Sequence, residues 1–234
     1  MTSSLRRTPR LSHSETTTPV SHLQAHFQTM EQQRETSVVG MWIFLGTEVM
    51  FFSGLFTSYL VYRLAHYAAF AAASKELSVT IGAINTAILI ASSLTMAMSV
   101  HEAQLGRRKL VIIFLILTLV FGLTFLGLKG YEWYDHIEKH ELPGFNFHLE
   151  PEKTHGDPRS MELFFGFYFC MTGLHALHMI VGAGLVTWVL IKTWKWEINA
   201  EYHNPVETVG LHWHFVDIIW IYLFPLLYLI DRHP

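Results

Sequence analysis

Five long apolar stretches divide this chain, covering residues 38–62, 79–100, 110–130, 164–191 and 209–230. A helix rises about 1.5 Å per residue, so about 20 residues cross a hydrocarbon layer about 30 Å thick. Each stretch is long enough. Backbone N–H and C=O groups find no water inside a bilayer, so such segments satisfy one another as helices. The pattern predicts an all-α, polytopic membrane protein: a bundle of five transmembrane helices within 37–234. Aromatic residues gather at the ends of the stretches, at Tyr59, Tyr62, Tyr131, Tyr134, Trp194, Trp196 and Tyr228. Amphipathic rings prefer that depth.

The polar remainder has two parts. Residues 1–36 are rich in Ser, Thr and Arg, and no apolar stretch follows the arginines closely enough for a secretory signal. The composition weakly resembles a transit peptide, but reads more plainly as a disordered or surface-lying tail. Residues 131–162 form the long connection, with eight acidic residues (Glu132, Asp135, Glu138, Glu141, Glu150, Glu152, Asp157 and Glu162) against three basic ones. An acidic loop can steer a basic soluble partner, although a solvated loop without one is the plainer reading. The tight Arg107-Arg108-Lys109 turn puts its own side, and the N-terminus with it, in the cytoplasm. The C-terminus and the acidic loop are then periplasmic.

Composition agrees. Hydrophobic residues make up 51% and charged residues 15%, too few charges to cover a soluble domain, and the mean hydropathy is +0.29. A net charge of −3 offers no basic face for nucleic acid. Cys170 is the single cysteine. That excludes an intrachain disulfide, multi-Cys zinc sites and a Cys-held iron–sulfur cluster.

A few polar residues lie inside the apolar stretches. Glu48 sits mid-span, where an ionised carboxyl costs roughly 2.5 kcal/mol or more. It handles protons or touches a lipid head group, or it locks two helices by a hydrogen bond; both readings stand. His175 and His178, at i and i+3, share a helix face. That spacing suits a metal or haem, but a site needs further ligands, and buried histidines making helix contacts are the plainer reading. His214 and Asp217 also share a face, and an Asp in reach can hold a His in one tautomer; His212 and His214 do not face each other. At about 1.5 Å per residue, Glu48 lies roughly 15 Å, His178 roughly 20 Å and Asp217 roughly 12 Å from the inner face. Glu48 can therefore meet the fourth or fifth span. Small residues at Ala83, Ala87 and Ala91, and at Gly173, Gly182 and Gly184, are expected to let helices approach closely.

Taken together, Glu48-Val-Met-Phe-Phe52, Asn85-Thr-Ala-Ile-Leu-Ile-Ala-Ser-Ser93, Tyr131-Glu-Trp-Tyr134, Gly173-Leu-His-Ala-Leu-His178 and His212-Trp-His-Phe-Val-Asp-Ile-Ile-Trp220 resemble, in order, subunit III of the haem–copper oxidases. The resemblance covers about residues 38–230 and is greatest to the five-span bacterial cytochrome c oxidase form. It implies an accessory subunit without a redox centre, cofactor or metal of its own. Haems and copper then belong to partner subunits I and II. The chain is expected to pack on subunit I, hold phospholipids and support proton uptake in a bacterial plasma membrane, with cytochrome c an indirect partner. Glu48 matches the family's intramembrane glutamate, and His175, His178, His212 and Asp217 match its polar positions on the last two helices. Longer members carry two further spans before the glutamate-bearing helix, where this chain has its polar tail. A quinol oxidase subunit, or one linked to nitric oxide reduction, is the alternative within the family. Outside it stand a stand-alone proton-coupled transporter and an oxidase assembly factor.

Overall fold

The computed structural model describes residues 27–144, 158–196, 198 and 202–230. They form six helices and no strand: α1 (Met30–Ala65), α2 (Tyr67–Glu76), α3 (Val79–Gln104), α4 (Arg108–Glu138), α5 (Pro158–Trp194) and α6 (Asn204–Tyr228). All but α2 are long and apolar enough to cross a membrane.

The helices run past the apolar stretches. α1 starts at Met30, inside the segment expected to be a polar tail. It is capped by Thr29, whose hydroxyl accepts from the Gln32 N–H at 3.1 Å. Residues 1–26 lie outside the described residues. α4 continues through Glu138, so the first eight residues of the expected acidic loop are helical. Two of that loop's carboxylates, Glu132 and Glu141, are buried, and Glu150, Glu152 and Asp157 lie outside the described residues. Hydropathy assigns nothing between the first two spans, yet α2 forms there. Five of its ten residues are Ala, the strongest helix former. Phe70 anchors it against Tyr59 and Phe164, each at a 5.5 Å centroid distance.

α3, α4, α5 and α6 form a ring in which each packs on the next and α6 closes back onto α3, while α1 sits outside against α6 and α2. The α3–α4 corner is tight: Gly106 takes φ +69°, a backbone open to glycine, and Arg107 N–H donates to the Glu102 carbonyl at 3.0 Å. At the same end the Arg108 guanidinium donates to the Thr193 carbonyl (2.8 Å) and to that of Trp194, and stacks 3.9 Å from the centre of the Trp196 ring. It thereby caps the C-terminus of α5.

Three aromatics of α6 tie the ring together. The Trp213 indole donates to Ser92 Oγ on α3 at 3.0 Å and fills the space beside Gly122 on α4 and Gly182 on α5. Trp220 donates to Thr86 on α3 at 3.1 Å, stands edge-on to Phe125 of α4 at 4.8 Å and lies 5.2 Å from His175 of α5. Tyr228 donates to Glu132 of α4 at 2.7 Å and flanks Gly82 of α3. All three are fully buried. The close approaches thus occur at Gly82, Gly122, Gly182 and Gly210. Ala83 and Ala87, expected to pack helices, face outward, and Gly184 has open space beside it.

Candidate functional site

Glu48 is not alone in the bilayer. Its Oε2 lies 3.0 Å from His178 Nε2, joining α1 to α5 with both side chains about four-fifths buried. The fourth span, not the fifth, supplies the partner. His178 Nδ1 lies 2.7 Å from the Leu174 carbonyl oxygen. A carbonyl only accepts, so Nδ1 carries a proton. A second proton must then lie between Nε2 and the carboxyl, because an ionised carboxylate facing a bare nitrogen would set lone pair against lone pair. Either Glu48 donates to neutral His178, or the imidazolium donates to the carboxylate. In both forms the pair holds one transferable proton and no net charge, which removes most of the cost of a lone carboxylate in lipid. Phe52, one turn beyond Glu48, meets the His178 ring edge-on at 5.3 Å and Phe215 of α6 at 6.4 Å, sealing one side.

The other sequence candidates separate. His175 shares a helix face with His178 but points into the ring. It sits between Phe125 and Trp220, 1% exposed, and neither nitrogen has a hydrogen-bond partner among the described residues. The two histidines therefore do not form one site. His212 is buried beside Gly182, 6.1 Å from the Phe44 ring and within electrostatic reach of the Glu48–His178 pair. His214 Nδ1 is 2.7 Å from Ser93 Oγ on α3. Asp217 does not orient it: among the described residues no donor lies within 3.5 Å of either buried carboxylate oxygen, and the Ser93 hydroxyl is the polar group beside them. The expected Asp–His tautomer lock is absent, because the α3 serine occupies Nδ1. No three His, Cys, Asp or Glu side chains converge as a metal site requires, among the described residues.

Sequence reasoning missed a second buried cluster. Lys129 Nζ donates to Glu132 Oε2 (3.0 Å), Tyr168 Oη (3.0 Å) and Tyr228 Oη (2.5 Å), and Tyr228 donates in turn to Glu132 Oε1 at 2.7 Å. Lys129 is 2% and Glu132 4% exposed. The ammonium also lies 4.6 Å from the centre of the Tyr168 ring and 5.2 Å from that of Trp220. One turn further along α4, His136 Nδ1 meets Glu141 Oε2 at 2.5 Å. The available signal was spacing: Lys129, Glu132 and His136 fall at i, i+3 and i+7, one helix face. Counting them as loop and interface charges hid it.

Comparison with known proteins follows the same outline. Residues 159–231 match the family model described as cytochrome c oxidase subunit III. The chain is 32% identical over 204 residues to quinol oxidase subunit 3 of Bacillus subtilis (strain 168), covering 86% of this chain and 91% of that protein. It is 31% identical over 213 residues to the probable cytochrome c oxidase subunit 3 of Nocardia farcinica, covering 91% and 97%. The cytochrome c oxidase subunit 3 of Gadus morhua is 29% identical over 195 residues, covering 81% and 67%.

Proposed function

Since the chain belongs to the haem–copper oxidase subunit III family, we propose that it is the non-catalytic subunit III of a proton-pumping terminal oxidase in a bacterial plasma membrane. Its N-terminus is cytoplasmic. In this reading the complex passes electrons from cytochrome c to dioxygen, haems and copper reside in subunits I and II, and this chain packs on subunit I. The observation that carries the reading is the Glu48–His178 pair, a mid-membrane couple that keeps one transferable proton without net charge. Such a couple suits support of proton uptake, since its shared proton passes between carboxyl and imidazole without any change in the net charge of the pair. Lipid holding is supported by a groove of about 350 Å³ between α1, α5 and α6, where Gln33, Ser37, Asn204 and Trp188 offer polar contacts beside apolar walls. The likeness to a Bacillus quinol oxidase subunit favours quinol as a second candidate donor.

The test is purification of the tagged chain from its own membranes in mild detergent, with a reduced-minus-oxidised spectrum and identification of the accompanying chains. Stoichiometric larger subunits with haem bands are expected. A copper-binding domain in subunit II would mark cytochrome c as donor, and its lack would mark quinol. A colourless, solitary protein in every mild detergent tried would overturn the proposal.

Glu48→Gln should keep the helix contact, because the amide donates to His178 Nε2, while removing the transferable proton. We expect unchanged assembly but fewer turnovers before inactivation, with a deficit that grows as pH rises and bulk protons become scarce. Equal turnover number and lifetime across the pH range would reduce Glu48 to a structural tie.

A further inference from the structure

The seam between α3 and α6 carries three features that the fold itself does not use. The first is Asp217, 3% exposed, whose carboxylate oxygens have no donor within 3.5 Å among the described residues, the Ser93 hydroxyl being the polar group beside them. A carboxyl buried without a donor forfeits the hydrogen bonds it had in water. The second is the space in front of it. Ser93, Leu94, His214, Asp217 and Ile221 line a groove of about 400 Å³, and a second groove of similar size continues it past Ala97 and His214 to Glu207. From Glu207 to Ile221 the seam runs about 21 Å. The third is the outward face of α3. At 100° per residue, Ala83, Ala87, Ile90, Leu94 and Ala97 fall within about 80° of the helix circumference. All five are exposed. The alanine spacing that looked like an internal packing signal therefore faces away from the bundle.

We propose that this seam is where a transmembrane helix of a neighbouring oxidase subunit packs, bringing one side-chain donor (a hydroxyl, amide or indole) to Asp217. The small residues let the partner backbone approach. Ile90, Leu94, Ile218 and Ile221 supply apolar contact, and Asp217 fixes the register, since a donor one turn away would leave the carboxyl unpaired. A phospholipid fits less well: its tails carry no donor, and among the described residues no Lys or Arg lines either groove to hold a phosphate. The inference rests on the proposed role as an oxidase subunit and names the face that role requires.

The test uses the whole complex in its membrane. A photo-crosslinking residue is placed singly at Leu94, at Ile221 and, as control, at Leu123 on the outer face of α4. Leu94 and Ile221 are expected to yield adducts with a larger chain of the oxidase, and Leu123 none. Asp217→Leu should retain about ten-fold less of that chain on purification, the loss of one intramembrane hydrogen bond, whereas Asp217→Asn, which still accepts, should retain it. The crosslinks keep the test valid if Asp217→Leu misfolds, since they leave Asp217 intact. Adducts from Leu94 and Ile221 with lipid alone, or with a second copy of this chain, would overturn the inference. So would oxidase adducts from Leu123 instead. If no haem-bearing chain accompanies the unaltered protein, the proposed function itself falls, and this inference with it.

Discussion

Replacing Lys129 with Met is expected to destabilise the chain by about 3–5 kcal/mol, the usual effect of removing one partner of a buried ion pair. Met replaces the apolar stem of the lysine and lacks only its terminal ammonium, so the loss is mainly electrostatic rather than a cavity. Glu132 would keep the Tyr228 hydroxyl as a donor but lose the ammonium at 3.0 Å. Tyr168 would lose its hydrogen-bond donor at 3.0 Å. Because Tyr168 is on α5 and Tyr228 on α6, the damage should spread to the packing of three helices at that end. The midpoint of thermal unfolding of the detergent-purified complex measures it. The double variant Lys129→Met with Glu132→Gln should be less harmful than the sum of the two single changes, since it removes both charges together. Additive losses, or a Lys129→Met protein as stable as the parent, would show that the network contributes little.

Gly122→Ala is expected to cost about 1–3 kcal/mol by overpacking. A β-carbon there would stand 2.8 and 2.9 Å from two carbons of the Trp213 ring. The indole cannot yield: its opposite side abuts Gly182 and its N–H is held by Ser92. Gly122→Val should be worse. Gly184→Ala serves as control, because nothing lies within 4 Å of its β-position, and it should be neutral or gain the roughly 0.5–1 kcal/mol by which Ala favours a helix over Gly. Adding Trp213→Phe to Gly122→Ala should recover part of the loss, since the smaller ring makes room while leaving the Ser92 hydroxyl without its indole donor. Retained oxidase assembly and melting midpoint report the order. A Gly122→Val protein that matches the Gly184→Ala control would refute the wedge role assigned to Trp213.

How much of the candidate site was legible varies residue by residue. Glu48 announced itself, because a carboxyl in mid-span is costly and demands a partner. Depth arithmetic narrowed that partner to the last two spans, and the structure chose His178. The periodicity that put His175 and His178 on one face was sound, yet their three-residue offset turns one toward α1 and the other into the Phe125–Trp220 contact. Lys129, Glu132 and His136 stayed hidden for the opposite reason. They sit where an apolar stretch gives way to polar residues, and a charge there reads as interfacial until another helix covers it. Trp213, Trp220 and Tyr228 occupy one face of α6 at intervals of seven and eight, but so apolar a helix marks no inward side.

The sequence by itself determined that this is a membrane protein with five spanning helices, because hydropathy over about 20 residues and the need to pair every backbone group in lipid are local requirements. It also determined that Glu48, in mid-span, must find a partner. Only the tertiary structure decided where helices and polar groups sit: α1 outside the ring, Glu48 on His178, Lys129 among two tyrosines and a glutamate, and Asp217 on the groove between α3 and α6. The physical reason is that lipid and protein interior are both apolar. A membrane helix carries little polar stripe to tell its buried face from its lipid face, so helix neighbours follow from shape, from where a glycine admits an indole, and from where two buried charges can meet.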